Sequence, residues 1–377
     1  MKIAAVIYKF FPYGGIQLDM LRIIEECNKR GHEVAVFTHK WEGECPGYVK
    51  LHLIPLSAAG NHSRMAEFDR KVNALLPEEN ADAVFGVNRI SGLDAYFAGD
   101  TCYTAKAFAT RSWLYRLMPR YRTYHRLEKA VFAPEANCKI MLLVPGQEAE
   151  FKQYFNTPDD RFMLLPPGIP ADRCRTDNAG EIRKRKRMEF NLAKDDVMLL
   201  QIGSGFITKG VERSIRALAE LPSAWRSKTR FFVVGADNPA KFIKLAEKLN
   251  VADKVEFLGG RNDVPQLLMA ADLMLHPAIN DATATVLAEA IVAGLPVICT
   301  KVCGFSTLIK QANSGIVLPE PFCQAELNRN LEKVLEAPGM LQAYQDNAIM
   351  YADKADFFRR QQVAADALEE IAKRKQK

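Results

Sequence analysis

Residues 197–210 read VMLLQIGSGFITKG: an apolar run broken only by Gln201, then glycines at 203, 205 and 210 around a single lysine, Lys209. Six apolar-rich residues bounded by glycine make a strand covered on both faces, too short for a buried helix. Glycine at the strand's end lets the backbone turn sharply toward a helix and bring its N–H groups close to an anion. This is the first half of a βα unit, and the fold reading depends on whether the unit repeats.

It repeats in both directions. Residues 2–8, 33–38, 51–55, 83–86, 95–99 and 140–144 read as strands upstream, and 230–235, 255–258, 273–276, 296–300 and 315–318 follow downstream, separated by stretches of helical period. Ile16, Met20, Ile23, Ile24 and Cys27 form one such apolar stripe, and the helix carrying it should stop at Arg30-Gly31-His32, where Gly31 suits a C-cap. Alternation of this kind predicts an α/β protein of two Rossmann-like, doubly wound parallel-sheet domains facing a cleft. The prolines of Leu164-Leu165-Pro166-Pro167-Gly168-Ile169-Pro170 resist helix and central strand and mark the hinge. The expected domains are 1–165 and 166–349. The chain is helical after about residue 324, with a tail over 350–377 packing back on the first domain and a frayed, charged end over 369–377.

Length and composition agree with two domains. The 377 residues are 48% hydrophobic and 25% charged, and no apolar run approaches the roughly 18 residues of a membrane span. Lys9 and Pro12 interrupt the N-terminal apolar run before it reaches leader length, so it reads as the first buried strand of a cytoplasmic protein. The eight cysteines are scattered, without CxxC or zinc spacing, and His32, His39, His52, His62 and His125 show no metal-binding pattern. Reduced thiols are expected, and no metal.

Three stretches carry chemistry. Tyr13-Gly14-Gly15-Ile16 places two glycines ahead of the first helix, suited to an anion or to an ordinary tight turn. Gly203-Ser204-Gly205-Phe206-Ile207-Thr208-Lys209-Gly210 has Thr208 where a dinucleotide fingerprint needs its third glycine, and its spacing is wrong for a P-loop. A glycine-rich loop delivering Lys209 to the cleft fits a diphosphate leaving group, and a surface lysine at a helix start is the plain alternative. His276-Pro277-Ala278-Ile279-Asn280-Asp281-Ala282-Thr283-Ala284-Thr285-Val286-Leu287-Ala288-Glu289 ends a strand, crosses a polar loop and opens a helix. The free N–H groups of Thr285 and Val286 suit a phosphate, and Asp281 and Glu289 suit sugar hydroxyls, although either carboxylate alone could be a solvated cap.

The chain resembles nucleotide-sugar glycosyltransferases of the retaining GT-B class, and within them the lipopolysaccharide core (heptosyl) glucosyltransferase I family. The resemblance covers nearly the whole chain and rests on Tyr8-Lys9-Phe10-Phe11-Pro12-Tyr13-Gly14-Gly15, Trp41-Glu42-Gly43, Gly92-Leu93-Asp94, Leu165-Pro166-Pro167-Gly168-Ile169, Gln201-Ile202-Gly203-Ser204, Gly260-Arg261-Asn262-Asp263 and the stretch from Asp281 to Glu289. It implies an acceptor domain followed by a donor domain. It places Gly14, Gly15 and Gly203 at the donor, Arg173 and Lys209 at its diphosphate, Arg261 and Asn262 near uracil, and Glu289 on the ribose. Asp100 would lie near the reacting centre with Lys209 and Asp281, and Asp19 would touch the acceptor. The reaction implied moves glucose from UDP-glucose to an inner-core heptose of lipopolysaccharide, with retention, the UDP-sugar being a substrate and no cofactor being needed.

The family's first carboxylate is normally Glu and is here Asp281; Ala284 and Ala288 replace its usual Gly and Leu. If position 284 needs positive φ, alanine costs roughly 1–2 kcal/mol there, and the loop is expected to take a different path. These changes favour, as one alternative, another donor such as UDP-galactose or a UDP-N-acetylhexosamine; the other alternative is a degenerate, non-catalytic glycan- or lipid-binding protein.

The net charge is +6, much of it in residues 103–132, where Lys106, Arg111, Arg116, Arg120, Arg122, Arg126 and Lys129 face one acid, Glu128. Phe108, Trp113, Tyr115, Tyr121 and Tyr124 interleave with them, so the segment is expected to dock on an anionic membrane surface, placing the protein at the periphery of the inner membrane. A packed insertion is the alternative, and nucleic acid is not expected because no recognition module accompanies the charge. A second basic run, residues 183–187, reads as a solvated helix face.

Overall fold

The computed structural model describes residues 1–12 and 14–376. The chain forms two compact units, one from residues 1–168 with 359–376, the other from 169–358.

In the first unit the strands are β1 (Lys2–Val6), β2 (Lys9–Phe10), β3 (Glu33–Thr38), β4 (Lys40–Trp41), β5 (Val49–Leu53), β6 (Ala83–Gly86), β7 (Ala95–Ala98), β8 (Lys139–Leu142) and β9 (Phe162–Leu164). Seven of them form a parallel sheet in the order β5-β3-β1-β6-β7-β8-β9, and β2 pairs with β4. Ile3, Ala4, Ala5 and Val6 are fully buried, as a central strand with helices on both faces requires. Strand β9 goes beyond the sequence expectation. It is three residues long and runs directly into Leu165-Pro166-Pro167, whose prolines hide an edge strand from pattern reading.

The helix Gly15–Lys29 buries Met20, Ile23, Ile24 and Cys27 and stops where expected. Gly31 takes φ 83°, and the N–H of His32 donates to the carbonyl of Cys27 at 3.1 Å, closing a left-handed cap. The C-terminal helix Arg360–Lys375 packs on Gly15–Lys29. Arg30 Nη1 donates to Asp366 at 2.6 Å and Glu369 at 3.2 Å, and His32 Nε2 lies 2.9 Å from Glu369. The end expected to fray is therefore a docked helix through Lys375; Lys377 lies outside the described residues. The return to the first unit begins at Arg359 and not at 350, because the helix Pro338–Lys354 packs on Thr285–Ala293 within the second unit.

The second unit holds β10 (Val197–Ile202), β11 (Thr229–Val234), β12 (Val255–Gly259), β13 (Leu273–His276), β14 (Val297–Thr300) and β15 (Gly315–Leu318), parallel in the order β12-β11-β10-β13-β14-β15. Leu199, Phe206, Ile215, Phe231 and Leu331 are in its core. The strand order reverses between β10 and β13, so the loops after those two strands meet at the switch point where α/β sheets bind ligands.

The basic run 183–187 departs from expectation. The helix Ala179–Glu189 lies on Val264–Ala270, and Lys186 and Arg187 are buried. Lys186 Nζ pairs with Asp263 at 2.5 Å and Glu189 at 2.7 Å, Arg187 with Asp272 at 2.9 Å, and Arg183 with Asp272. Only Lys184 and Arg185 form the solvated face; the other three cations satisfy carboxylates of the unit, as buried charge requires.

Candidate active site

At the switch point of the second unit, the loop after β10 is laced to the loop after β13. Gln201, buried at the end of β10, donates Nε2 to the carbonyl of Lys209 at 2.7 Å, and Ser214 donates to Gln201 Oε1 at 2.7 Å. The Ile279 N–H donates to the carbonyl of Thr208 at 2.7 Å. Gly210 has φ 74°, and a Cβ there would lie 2.1 Å from the carbonyl oxygen of Pro277. Any side chain at 210 would force the two loops apart. The result is Lys209 Nζ 2.6 Å from Asp281 Oδ2, with His276 Nε2 2.9 Å from the same oxygen. Oδ1 accepts the N–H of Ala284 at 3.0 Å. Burial alone would raise the Asp281 carboxyl, but His276 and Lys209 outweigh it and hold it below its ordinary value.

Ala284 caps the helix Thr285–Ala293 with φ 55° and ψ 53°. The different loop path expected for alanine does not occur: the residue carries the left-handed conformation itself, at a cost of about 1–2 kcal/mol. Its carbonyl accepts the Leu287 N–H at 2.9 Å, which leaves Thr285 and Val286 as the helix-opening amides that have no acceptor within the helix. Glu289 follows one turn on, and Arg173 Nε lies 3.8 Å from its Oε1. Burial raises the Glu289 carboxyl above its ordinary value despite Arg173. Nε and Nη1 of Arg173 are buried without a hydrogen-bond acceptor among the described residues, donors whose desolvation a bound anion would offset.

The structure thus joins Lys209 to Asp281 and Arg173 to Glu289, beside the first turn of one helix. Gly203, at φ 139°, lies under the Lys209 side chain: a Cβ there would meet Lys209 Cγ and Cε at 3.4 Å. Arg261, expected at the base, has its guanidinium committed to Asp263 at 2.7 and 2.6 Å and to Glu189 at 3.3 Å, while Asn262 is exposed. On the first unit, Gly14 caps the first helix in extended conformation, and Gly15 opens it with nothing within 4 Å of an added Cβ. Tyr13 lies outside the described residues. Asp100 is exposed on the loop after β7, whose backbone is held by Arg89 Nη2 donating to the carbonyls of Asp100 at 3.1 Å and Thr101 at 2.6 Å. Asp19, expected at the acceptor, is mostly buried against Arg360 Nη1 at 2.8 Å, where it helps fasten the C-terminal helix. His276 ends β13 five residues before Asp281, and the sequence gives it no role beyond ending that strand, since a lone histidine at a strand end carries no ligand pattern.

The basic segment is a helix Tyr103–Thr110, a 3-10 turn Trp113–Leu117 and a helix Pro119–Phe132. Fully buried Glu128 anchors it by accepting the N–H groups of Tyr103 at 2.7 Å and Thr104 at 2.8 Å and pairing with Arg89 at 3.1 Å. The tyrosines do not point outward as expected. Tyr121 is buried with the rings of Tyr103 and Tyr115 against it, Tyr124 packs on Tyr103, and the hydroxyls of Tyr103 and Tyr115 are 2.8 Å apart. Arg116 lies over Phe108, 3.5 Å from the ring centroid. The exposed apolar groups are Phe108, Trp113, Leu114, Leu117 and Met118, of which the three aliphatic ones lie outside the aromatic pattern. No helix among the described residues is long and apolar enough to cross a membrane.

Residues 182–351 match the family model of glycosyl transferases group 1, and residues 13–173 match that of glycosyltransferase family 4. Lipopolysaccharide glucosyltransferase WaaG of Escherichia coli is 45% identical over 368 residues, 98% of each chain. A crystal structure of WaaG, described as a glycosyltransferase involved in lipopolysaccharide biosynthesis, superimposes with a TM-score of 0.85 over 97% of this chain and 99% of that one. Anabaena HepE in complex with UDP-glucose, 18% identical, shares the fold, with a TM-score of 0.72 over 98% of this chain and all of that one.

Proposed function

Since the chain belongs to the glycosyltransferase family of WaaG, enzymes of lipopolysaccharide core assembly with a GT-B fold, we propose that it transfers glucose from UDP-glucose to an inner-core heptose with retention of configuration. The observation that carries the reading is the pairing of each cation with a carboxylate beside one helix start: Lys209 with Asp281, Arg173 with Glu289. Lys209, Arg173 and the amides of Thr285 and Val286 are the donors for a diphosphate, and they stabilise the charge that grows on it as the glycosidic bond breaks. Asp281 and Glu289 accept from sugar hydroxyls, Asp281 on the hexose and Glu289 on the ribose. Asp100 is assigned to the reacting centre.

The acceptor is lipid-borne, and the segment over residues 103–132 supports work at the cytoplasmic face of the inner membrane: apolar Trp113, Leu114, Leu117 and Met118 lie exposed among Lys106, Arg111, Arg120 and Arg122. A second reading, a different hexose, is favoured by Asp281, one methylene shorter than glutamate and drawn toward Lys209 and His276.

Lys209→Ala is the direct test of the site. It is expected to abolish turnover of the nucleotide sugar while thermal unfolding stays close to the parent's, because the side chain is partly exposed and holds no core. Near-normal turnover in that variant contradicts the assignment.

A further inference from the structure

The geometry points to His276 as a positioning residue that holds Asp281 in place so that Lys209 can pass from it to the donor diphosphate. The inference rests on the donor site proposed above. Three groups converge on the one carboxylate: Lys209 Nζ at 2.6 Å and His276 Nε2 at 2.9 Å on Oδ2, and the Ala284 N–H at 3.0 Å on Oδ1. Two of them are immobile. His276 is fully buried at the end of β13, and the Ala284 amide is fixed by its left-handed cap. Lys209 is different, being partly exposed at the end of a flexible stem.

A carboxylate oxygen only accepts, so the imidazole proton that faces Asp281 sits on Nε2. Nδ1 is buried with no partner among the described residues, and a second proton there would go unsatisfied. The ring is thus oriented as a single donor, and its polar contact among the described side chains is Asp281.

A diphosphate competes with Asp281 for the Lys209 ammonium. Were Lys209 the sole partner of Asp281, its departure would leave a buried carboxylate without compensation, a strongly unfavourable state. With His276 and the Ala284 amide in place, the carboxylate keeps two donors and stays put while the lysine moves. His276 therefore acts on donor binding through Asp281 and not by touching the donor.

The experiment is calorimetric titration of the full chain with UDP in five forms: parent, His276→Phe, His276→Gln, Asp281→Asn, and the double variant His276→Phe with Asp281→Asn. A hydrogen bond to a charged group carries about 1.5–3 kcal/mol, so His276→Phe should weaken UDP roughly 10–100-fold. Glutamine places an N–H where Nε2 stood and should recover most of that loss. In the Asp281→Asn variant the lysine is already free, and the double variant should bind UDP as Asp281→Asn does. Parent-like binding by His276→Phe, or an equal loss when His276→Phe is added to Asp281→Asn, overturns the inference and leaves the donor site standing. A parent chain that binds no UDP overturns both.

Discussion

Ala284 holds φ 55° beside the carboxylate that Lys209 and His276 share, a conformation that costs an L-residue about 1–2 kcal/mol and that glycine adopts freely. Its amide reaches Asp281 Oδ1, so the strain is tied to the orientation of a proposed donor contact. Glycine at this position would relieve the strain but carry more chain entropy into the unfolded state, about 0.5–1 kcal/mol. Ala284→Gly should therefore stabilise the second unit by about 0.5–1 kcal/mol net, read as a higher urea midpoint with unchanged slope. A lower midpoint would mean that the alanine methyl, buried in the loop, contributes more than the backbone strain takes away. Lys209 and Asp281 were legible from sequence because a glycine-rich loop and a strand–loop–helix passage each announce a ligand. His276 was not, because a histidine at a strand end has no distinguishing pattern until the loop after β10 brings Lys209 to the same oxygen.

At the scale of elements, the segment over residues 103–132 separates into an inner and an outer face. Its inner face is aromatic and anchored by Glu128 to the helix start at Tyr103; its outer face combines the 3-10 turn Trp113–Leu117 with arginine and lysine. Sequence showed the composition but could not sort the rings, since the tyrosines and Trp113 have similar amphipathic character and only packing decides which turn inward. Trp113 and Leu117 are 65% and 55% exposed, so changing them should leave the core intact. Burial of such a side chain in an apolar phase is worth about 1.5–3 kcal/mol. The double variant Trp113→Ser with Leu117→Ser should thus bind anionic phospholipid vesicles at least about tenfold more weakly in a sedimentation assay, with UDP affinity unchanged. Vesicle binding equal to the parent's would show that the charges alone hold the surface, or that this face meets something other than lipid. The helix Ala179–Glu189 teaches the same lesson in reverse: a run of five basic residues reads as solvated, yet Lys186 and Arg187 are buried on Asp263 and Asp272.

At the scale of the whole molecule, two doubly wound sheets could be read from the recurrence of short apolar runs, because a strand buried on both faces must be almost continuously apolar. The return of the C-terminal tail to the first unit could be expected too, but the strand order, the edge strand Phe162–Leu164 and the start of that return at Arg359 could not, as each is set by contacts between residues distant in sequence, such as Arg360 with Asp19 and Arg30 with Glu369. The same limit governs the substrate: the family follows from the chain as a whole, while the hexose depends on a few atoms around Asp281. Transfer to a heptose-terminated lipopolysaccharide core, measured with labelled UDP-glucose, UDP-galactose and UDP-N-acetylglucosamine in parallel, tests the account most directly. Acceptor-dependent incorporation from UDP-glucose, with an α-linked product as retention requires, is the predicted result; incorporation from another donor, or from none, would contradict it.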